Sequence, residues 1–288
     1  MNPGPNEVVA APEFVEALAK GLSVIEAFDQ GHAEMTLSEV ARRAGVTPAA
    51  ARRSLHTLTA LGYVCHVNRR FMLSARVLLL GAAYLRAAHV EEILLPELVR
   101  LVRRFGDAAS VTVLDRHDIL YIAHHSEQRA RRMTAGIGVT YPAYPTSMGR
   151  VLLAGLPQDQ LDAYLAGLRT EKLTEFTVTD RGKLAAIVAR ARRKGYATAI
   201  DELDYGITAI AVPIRDREGR VVAALNSSGY SGRVGIEEMI TARLSELRES
   251  AGRISQALAR YPTLARSLGV AGGGVGTFAG PARIKEPA

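Results

Sequence analysis

Arg52 and Arg53 stand side by side among alanines in the stretch VTPAAARRSLHTLTAL, residues 46–61. A guanidinium is a planar fork of donors that can bridge the O6 and N7 acceptors of guanine or grip a phosphate. At about 100° per residue, Ala51, Leu55, Leu58 and Gly62 fall on one side of a helix, while Ala49, Arg53, His56 and Ala60 fall opposite, with Arg52 and Thr57 at the margins. One side packs. The other is short and cationic, so another surface can approach the backbone between the guanidinium groups. That shape suits a DNA major groove, where alanine and threonine methyls can also touch thymine methyls.

Other residues invite chemistry, and their spacing speaks against it. His117, His124 and His125 suggest a metal, yet adjacent histidines on a strand point to opposite faces and no cysteine or carboxylate stands at ligand spacing. Asp201, Glu202 and Asp204 form a carboxylate cluster, expected as a solvated loop between strands and at most the rim of a pocket. The GIG at 136–138 does not lead from a strand into a helix within a βαβ unit, which excludes the dinucleotide reading. No nucleophile elbow of the form G-x-S-x-G occurs. The expectation is therefore no catalytic residue, no metal and no cofactor. The single cysteine, Cys65, excludes an internal disulfide and is expected as a small core residue.

The elements that must position the arginines are legible. Phe14, Leu18, Leu22, Ile25 and Phe28 keep helical spacing up to Gly31. Thr36 and Glu39 form a capping box for a second helix, which Gly45 ends. Thr47 caps a third, with Pro48 at its first position. Only Val46 separates Gly45 from that cap, so the two helices meet in a tight turn, as in a helix-turn-helix. YVCHV and RFMLS then read as two strands around a turn of Asn68, Arg69 and Arg70, which completes a winged helix-turn-helix. In that frame Arg53 and His56 are the candidate base readers, with Thr47, Arg52 and Thr57 nearby. Arg42, Arg43, Arg69 and Arg70 are the candidate phosphate contacts.

Residues 75–88 are helical and too apolar to stand alone, and are expected to join domains and pair chains. A further helix runs to Phe105. Strand-like runs follow at ASVTVL and ILYIAHH, and later at ATAID, ITAIAVPI and VVAALNSS. Helices are expected at 147–154, 158–165, 181–194 and 236–261, so the second domain is α+β with an antiparallel sheet. The expected division is 13–74 for the winged domain, 75–90 for a linker helix, 91–262 for the second domain and 263–288 for a disordered tail rich in Gly, Pro and Ala.

Charge supports an anionic partner. The chain of 288 residues carries a formal net charge of +7. Between Glu39 and Glu91 it holds eight arginines (Arg42, Arg43, Arg52, Arg53, Arg69, Arg70, Arg76 and Arg86) and no acidic residue, a distribution that favours a polyanion. No apolar run approaches the ~18 residues of a membrane span and the N-terminus lacks a signal-peptide pattern, so no membrane partner and a cytoplasmic location are expected.

Three separated blocks then carry a resemblance. TLSEVARRAGVTPAAARRSLHTLTALGYV resembles the helix-turn-helix of the IclR family of bacterial transcription regulators. PAYPTSMGRVLLAGL resembles the segment leading into a helix beside that family's effector pocket, and GITAIAVPIRD with VVAALNSSG resembles the strands closing it. TSMGRVLLA is most similar to the subgroup controlling catabolism of aromatic acids such as protocatechuate and 4-hydroxybenzoate. The resemblance implies a winged N-terminal domain, a linker helix, a GAF-like effector domain, and homodimers or homotetramers on a palindromic operator. It also matches Met133, Tyr141, Ser147, Met148, Ala209, Asn226 and Ser228 to the effector pocket. Apolar walls with a few convergent polar groups suit a small organic acid, and Ser147 at a helix start suits its anionic end. Two other readings stay open at this point. One is an enzyme carrying a nucleic-acid-binding module; the other is a non-specific architectural DNA binder.

Overall fold

The computed structural model describes residues 14–29, 31–87, 89–127 and 135–273. The chain divides into two units, and the division falls between Tyr84 and Leu85, inside the helix expected as a linker.

In the first unit α1 (Glu16–Glu26), α2 (Leu37–Arg43) and α3 (Pro48–Ala60) precede a hairpin of β1 (Val64–Val67) and β2 (Arg70–Leu73). The local signals act as expected. Thr36 and Glu39 close a capping box at the start of α2, and the Thr47 hydroxyl accepts from the Ala50 amide at the start of α3. Between the helices, the Gly45 amide donates to the Arg42 carbonyl and the Val46 amide to the Ala41 carbonyl, at 3.3 and 3.0 Å. This double bond pattern needs a left-handed residue, and Gly45 supplies it at φ +64°. The helices and β1 close over Val24, Met35, Val40, Leu55, Leu58 and Val64.

Three details differ from expectation. The wing turn contains only Asn68 and Arg69, both at positive φ, because Arg70 already pairs with Val67; two positive-φ residues match the right-handed twist of the flanking strands. Met35 adds a third, single-residue bridge to the wing through Phe71. Cys65 is exposed, not a core residue, because Val64 takes the inward position of β1 and alternation turns its neighbour outward. A 3-10 turn (Ala75–Val77) leads into α4 (Leu78–Ala87), none of whose residues is buried.

In the second unit the end of α4 leads, through His89 in a left-handed conformation, into α5 (Val90–Phe105). It continues through β3 (Ala108–Asp115), β4 (Asp118–Ser126), β5 (Thr140–Pro142), α6 (Ser147–Gly155), α7 (Gln158–Gly167) and α8 (Arg181–Lys194). Then come β6 (Ala197–Ile200), β7 (Ile207–Arg215), β8 (Val221–Tyr230), the short α9 (Ile236–Glu238), a π turn (Met239–Arg243), α10 (Leu244–Leu258) and α11 (Pro262–Gly273). The strands form one antiparallel sheet in the order β5-β4-β3-β8-β7-β6, the α+β arrangement expected.

Strand alternation splits the buried side chains into two cores. Val111, Val113, Ile210, Val212 and Leu225 pack with α5, α10 and α11 on one face. Leu114, Tyr121, Ala211 and Ala224 pack on the other with Met148 and Val151 of α6 and Leu184 and Val188 of α8.

Two helical expectations are corrected. The run expected as one helix over 236–261 is interrupted by the π turn, which points Arg243 inward to Asp107 and Ser227, at 2.6 and 2.8 Å. The tail expected to be disordered from 263 instead starts with α11, whose Leu264 and Leu268 are 1% and 2% exposed. Each buried leucine contributes about 1.5–3 kcal/mol, which outweighs the poor propensity of the glycines that follow. Residues 274–288 lie outside the described residues.

Candidate functional site

Helix α3 buries Ala51, Leu55 and Leu58 and leaves Ala49, Arg52, Arg53, His56 and Thr57 exposed. The division follows the helical period read from the sequence. Thr57 is partly committed, since its hydroxyl donates to the Arg53 carbonyl at 3.0 Å. Among the described residues, the side chains of Arg42, Arg52, Arg53 and Arg69 make no hydrogen bond or ion pair, so their donors are available to an anion. Arg70 is exposed and donates to the Glu34 carbonyl at 3.3 Å.

Arg43 departs from this pattern. Its guanidinium pairs with Asp29, donates to the Ala27 carbonyl at 2.8 Å and meets His32 at 3.3 Å. Burial pushes the Asp29 carboxyl up, but the His32 hydrogen bond and the Arg43 charge outweigh it and leave the pKa lowered. Arg43 therefore ties α2 to the end of α1, and its donors are spent inside the domain.

The second candidate site lies on the sheet face beneath α6. The Thr146 hydroxyl accepts from the Gly149 amide and starts the helix at Ser147. At the other end, a Cβ on Gly155 would stand 2.4 Å from the Val221 Cβ, so only glycine lets the helix backbone rest on the first residue of β8. From there the helix packs against β8, β7, β6, β3 and β4, so it lies across the sheet face. Arg150 fixes the same orientation. It donates to the Tyr144 carbonyl, the Thr198 carbonyl and Glu202, at 3.1, 2.9 and 2.6 Å.

Register places the other candidates on this face. Asn226 pairs with Ala211 and Ser110, and Ser228 pairs with Ala209. Tyr141 on β5 meets the Tyr121 ring edge-on at 5.9 Å, and burial pushes its phenol pKa up. Ser147, Met148, Ala209 and Asn226 are buried, while Tyr141 and Ser228 are partly buried. Three buried oxygens have no hydrogen-bond partner among the described residues: Asn226 Oδ1 and Thr112 Oγ1 on this face, and Ser147 Oγ at the start of α6. A fourth, Thr208 Oγ1, lies on the opposite face, next to Ile210 in the alternation. Met133 lies outside the described residues. Two surface clefts lie elsewhere, one between α7 and α8 and one between the end of α6 and β8, and neither contains a candidate effector residue.

The carboxylate cluster divides. Glu202 is buried against Arg150 and is not the solvated residue expected from sequence, while the Asp201 carboxylate accepts from the Gly206 amide and the Ser231 hydroxyl, each at 2.7 Å. Sequence reasoning also missed Ser110, Thr112, Tyr121 and His124 on this face. Their signal was the alternation within ASVTVL, but a bulge hides the matching period in β4. No metal-holding group of His, Cys, Asp and Glu occurs among the described residues, and no helix there is long and apolar enough to cross a membrane.

Comparison with known proteins places these geometries. Residues 17–66 match the IclR helix-turn-helix domain, and residues 82–256 match the bacterial transcriptional regulator IclR C-terminal domain. The Pca regulon regulatory protein of Pseudomonas putida is 38% identical over 229 residues, which is 79% of each chain. The p-hydroxybenzoate hydroxylase transcriptional activator of Acinetobacter baylyi is 30% identical, covering 88% of this chain and 95% of that one. A transcriptional regulator from Rhodococcus sp. RHA1 superposes with a TM-score of 0.73 at 42% identity, over 86% of this chain and 99% of that one. An IclR homologue from Microbacterium hydrocarbonoxydans, solved with 4-hydroxybenzoate, gives a TM-score of 0.70 at 27% identity, over 85% and 99%. With a capped helix-turn-helix and wing in one unit and a six-stranded antiparallel sheet under α6 in the other, this chain belongs to the IclR family of bacterial transcriptional regulators.

Proposed function

We propose that this regulator binds a palindromic operator as a homo-oligomer in the cytoplasm. Arg53 and His56 of α3 read base edges, flanked by Thr47, Arg52 and Thr57, and Arg42, Arg69 and Arg70 hold phosphates. A small aromatic acid bound on the sheet face beneath α6 shifts operator affinity, with Tyr141, Ser147, Met148, Ala209, Asn226 and Ser228 around it. The proposal includes no turnover. Met133 keeps its place in the pocket from the family match alone.

The observation that carries the effector reading is the set of buried oxygens without a hydrogen-bond partner among the described residues, beside a row of alanines. Asn226 Oδ1 and Thr112 Oγ1 lie on the sheet face beside Ala211 and Ala224, and Ser147 Oγ lies at the start of α6, which packs on that face. A buried polar group without a partner costs about 1–3 kcal/mol, so three such oxygens are explained by a ligand that supplies the missing hydrogen bonds. Ser147 stands at the first position of α6, where free amides and the helix dipole favour an anion. Two relatives named for regulation in aromatic-acid metabolism, and one solved with 4-hydroxybenzoate, support the same ligand class.

Thermal-shift screening of aromatic acids and their ring-cleavage products, followed by operator binding with and without each hit, tests the reading. A ligand of the folded protein raises the Tm by mass action. An aromatic acid that raises the Tm and changes operator Kd is expected. Turnover of a hit would favour an enzyme, and binding indifferent to DNA sequence would favour an architectural protein.

A further inference from the structure

Ser110 and His124 have no assigned role, and Thr112 is assigned no particular group of the ligand; the inference drawn from these three residues rests on the reading that the face beneath α6 holds the effector. Ser110 and Thr112 are alternate residues of β3, both buried, and both point to that face, since they pair with Asn226 and Ala224 of β8. The bulge in β4 shifts the register between Val111 and Thr112, so Tyr121 lies opposite Thr112 and His124 opposite Ser110. Two side chains three residues apart thereby share one face. Ser110 Oγ and His124 Nδ1 lie 2.9 Å apart. The Tyr121 ring meets the His124 ring edge-on at 6.5 Å and the Tyr141 ring at 5.9 Å.

Thr112 Oγ1 sits within this group, fully buried and without a partner among the described residues. A valine would fill the same volume without an unpaired hydroxyl. The polar atom therefore points to something outside the chain that pairs with it. A threonine hydroxyl both donates and accepts, and the Ser110–His124 pair shares a proton within a hydrogen bond. Burial, together with the neighbouring His125, lowers the His124 pKa, which keeps the pair uncharged at neutral pH. A second carboxylate placed here would exchange its hydration for neutral partners. A phenolic hydroxyl matches them, because it also donates and accepts.

We propose that Thr112, supported by the Ser110–His124 pair, recognises a ring hydroxyl of the effector while the start of α6 holds its carboxylate. The effector is then a hydroxylated aromatic monocarboxylate rather than a dicarboxylate produced by ring cleavage. Tyr121 and Tyr141 line the edge of the ring, and Thr112 sets specificity by the hydrogen bond that an unsubstituted ring cannot make.

Calorimetry with benzoate, 3-hydroxybenzoate, 4-hydroxybenzoate, 3,4-dihydroxybenzoate and cis,cis-muconate tests this on the full chain and on Thr112→Val and Thr112→Ser. The wild type is expected to bind at least one hydroxylated acid about tenfold more tightly than benzoate. Thr112→Val should bring that ratio to within about twofold, and Thr112→Ser, which keeps the hydroxyl, should retain the preference. If Thr112→Val does not fold, Ser110→Ala is read in the same way. Equal losses for benzoate and the hydroxylated acids would assign Thr112 to packing and overturn the proposal. Tighter binding of muconate than of every hydroxybenzoate would also overturn it, yet leave the effector face standing. Failure of every acid to bind would remove both readings together.

Discussion

Arg150 donates to Glu202 at 2.6 Å, with both side chains almost fully buried. The pair joins α6 to the segment after β6. It also reaches a third piece of chain, since the Glu202 carboxylate accepts from the Val178 amide at 3.3 Å and its carbonyl from the Thr177 hydroxyl at 2.7 Å. The start of the helix proposed to hold the effector carboxylate is thus fixed by an ion pair that further hydrogen bonds tie to the Tyr144 carbonyl, the Thr198 carbonyl and the Val178 amide.

That arrangement predicts an asymmetry in stability. Arg150→Met or Glu202→Gln leaves one buried partner uncompensated, so each should lower stability by about 3–5 kcal/mol. Arg150→Met combined with Glu202→Leu should cost less than the sum of the single changes, because neither charge is then stranded. Urea unfolding of the single and double variants measures this. Additive losses would show that the two side chains act independently.

In the DNA-binding unit, the predictions separate three arginines. Arg53→Ala should relax discrimination between operator and other DNA by about 1–3 kcal/mol, the value of a bidentate base contact. Arg70→Ala should weaken binding to all sequences and flatten the salt dependence. Arg43→Ala should instead lower stability, because its guanidinium is held by Asp29 and the Ala27 carbonyl. Fluorescence anisotropy at several salt concentrations, with thermal melts of the same preparations, distinguishes the three. An unchanged specificity ratio in Arg53→Ala would remove α3 from the role of recognition helix.

The contrast among these arginines shows what was legible in sequence. Thr36, Glu39, Gly45, Thr47 and Pro48 act through neighbours a few residues away, so the helix boundaries and the outward face of α3 follow from local order alone. Arg43 and Arg70 depend on partners fourteen and thirty-six residues away, and no local pattern distinguishes an arginine bound to the end of α1 from one left free. In the second unit the strands were readable from β-branched runs, but β5 is only three residues long and passed unnoticed. The bulge in β4 breaks the two-residue period, so Tyr121 and His124 could not be placed on one face before the register was known. Glu202 looked like a loop carboxylate because its partner, Arg150, lies in another element.

Apolar surface predicts self-association. Leu78, Leu79 and Leu80 of α4 are 73%, 53% and 49% exposed, and Leu18 of α1 is 63% exposed. Leucines at this density on helices that otherwise form normally are expected to be covered by a second chain. Light scattering on dilute protein should give a mass at least twice 30.9 kDa. Leu78→Glu with Leu79→Glu should shift it toward the monomer and weaken binding to a palindrome more than to a single half-site. A wild-type monomer that binds the palindrome tightly would rule out this use of the surface.

The last prediction concerns coupling between effector and operator. Ser147 and Asn226 come from a helix and a strand far apart in sequence, yet each has a buried oxygen without a hydrogen-bond partner among the described residues. A ligand oxygen buried there without partners would be costly, so removing both protein groups should weaken effector binding selectively. Ser147→Ala combined with Asn226→Ala is expected to weaken it at least tenfold, about 1.4 kcal/mol. The same double change should leave operator affinity without effector within roughly twofold, since neither side chain is in the DNA-binding unit. Linkage requires that an effector alters operator binding only through its different affinities for the DNA-bound and free states. The double variant should therefore need proportionally more effector to reach the same change in operator Kd, with an unaltered endpoint at saturation. Calorimetry and anisotropy on one preparation measure both quantities. Unchanged effector affinity would place the pocket elsewhere, and loss of operator binding without effector would make these two residues part of the structural core.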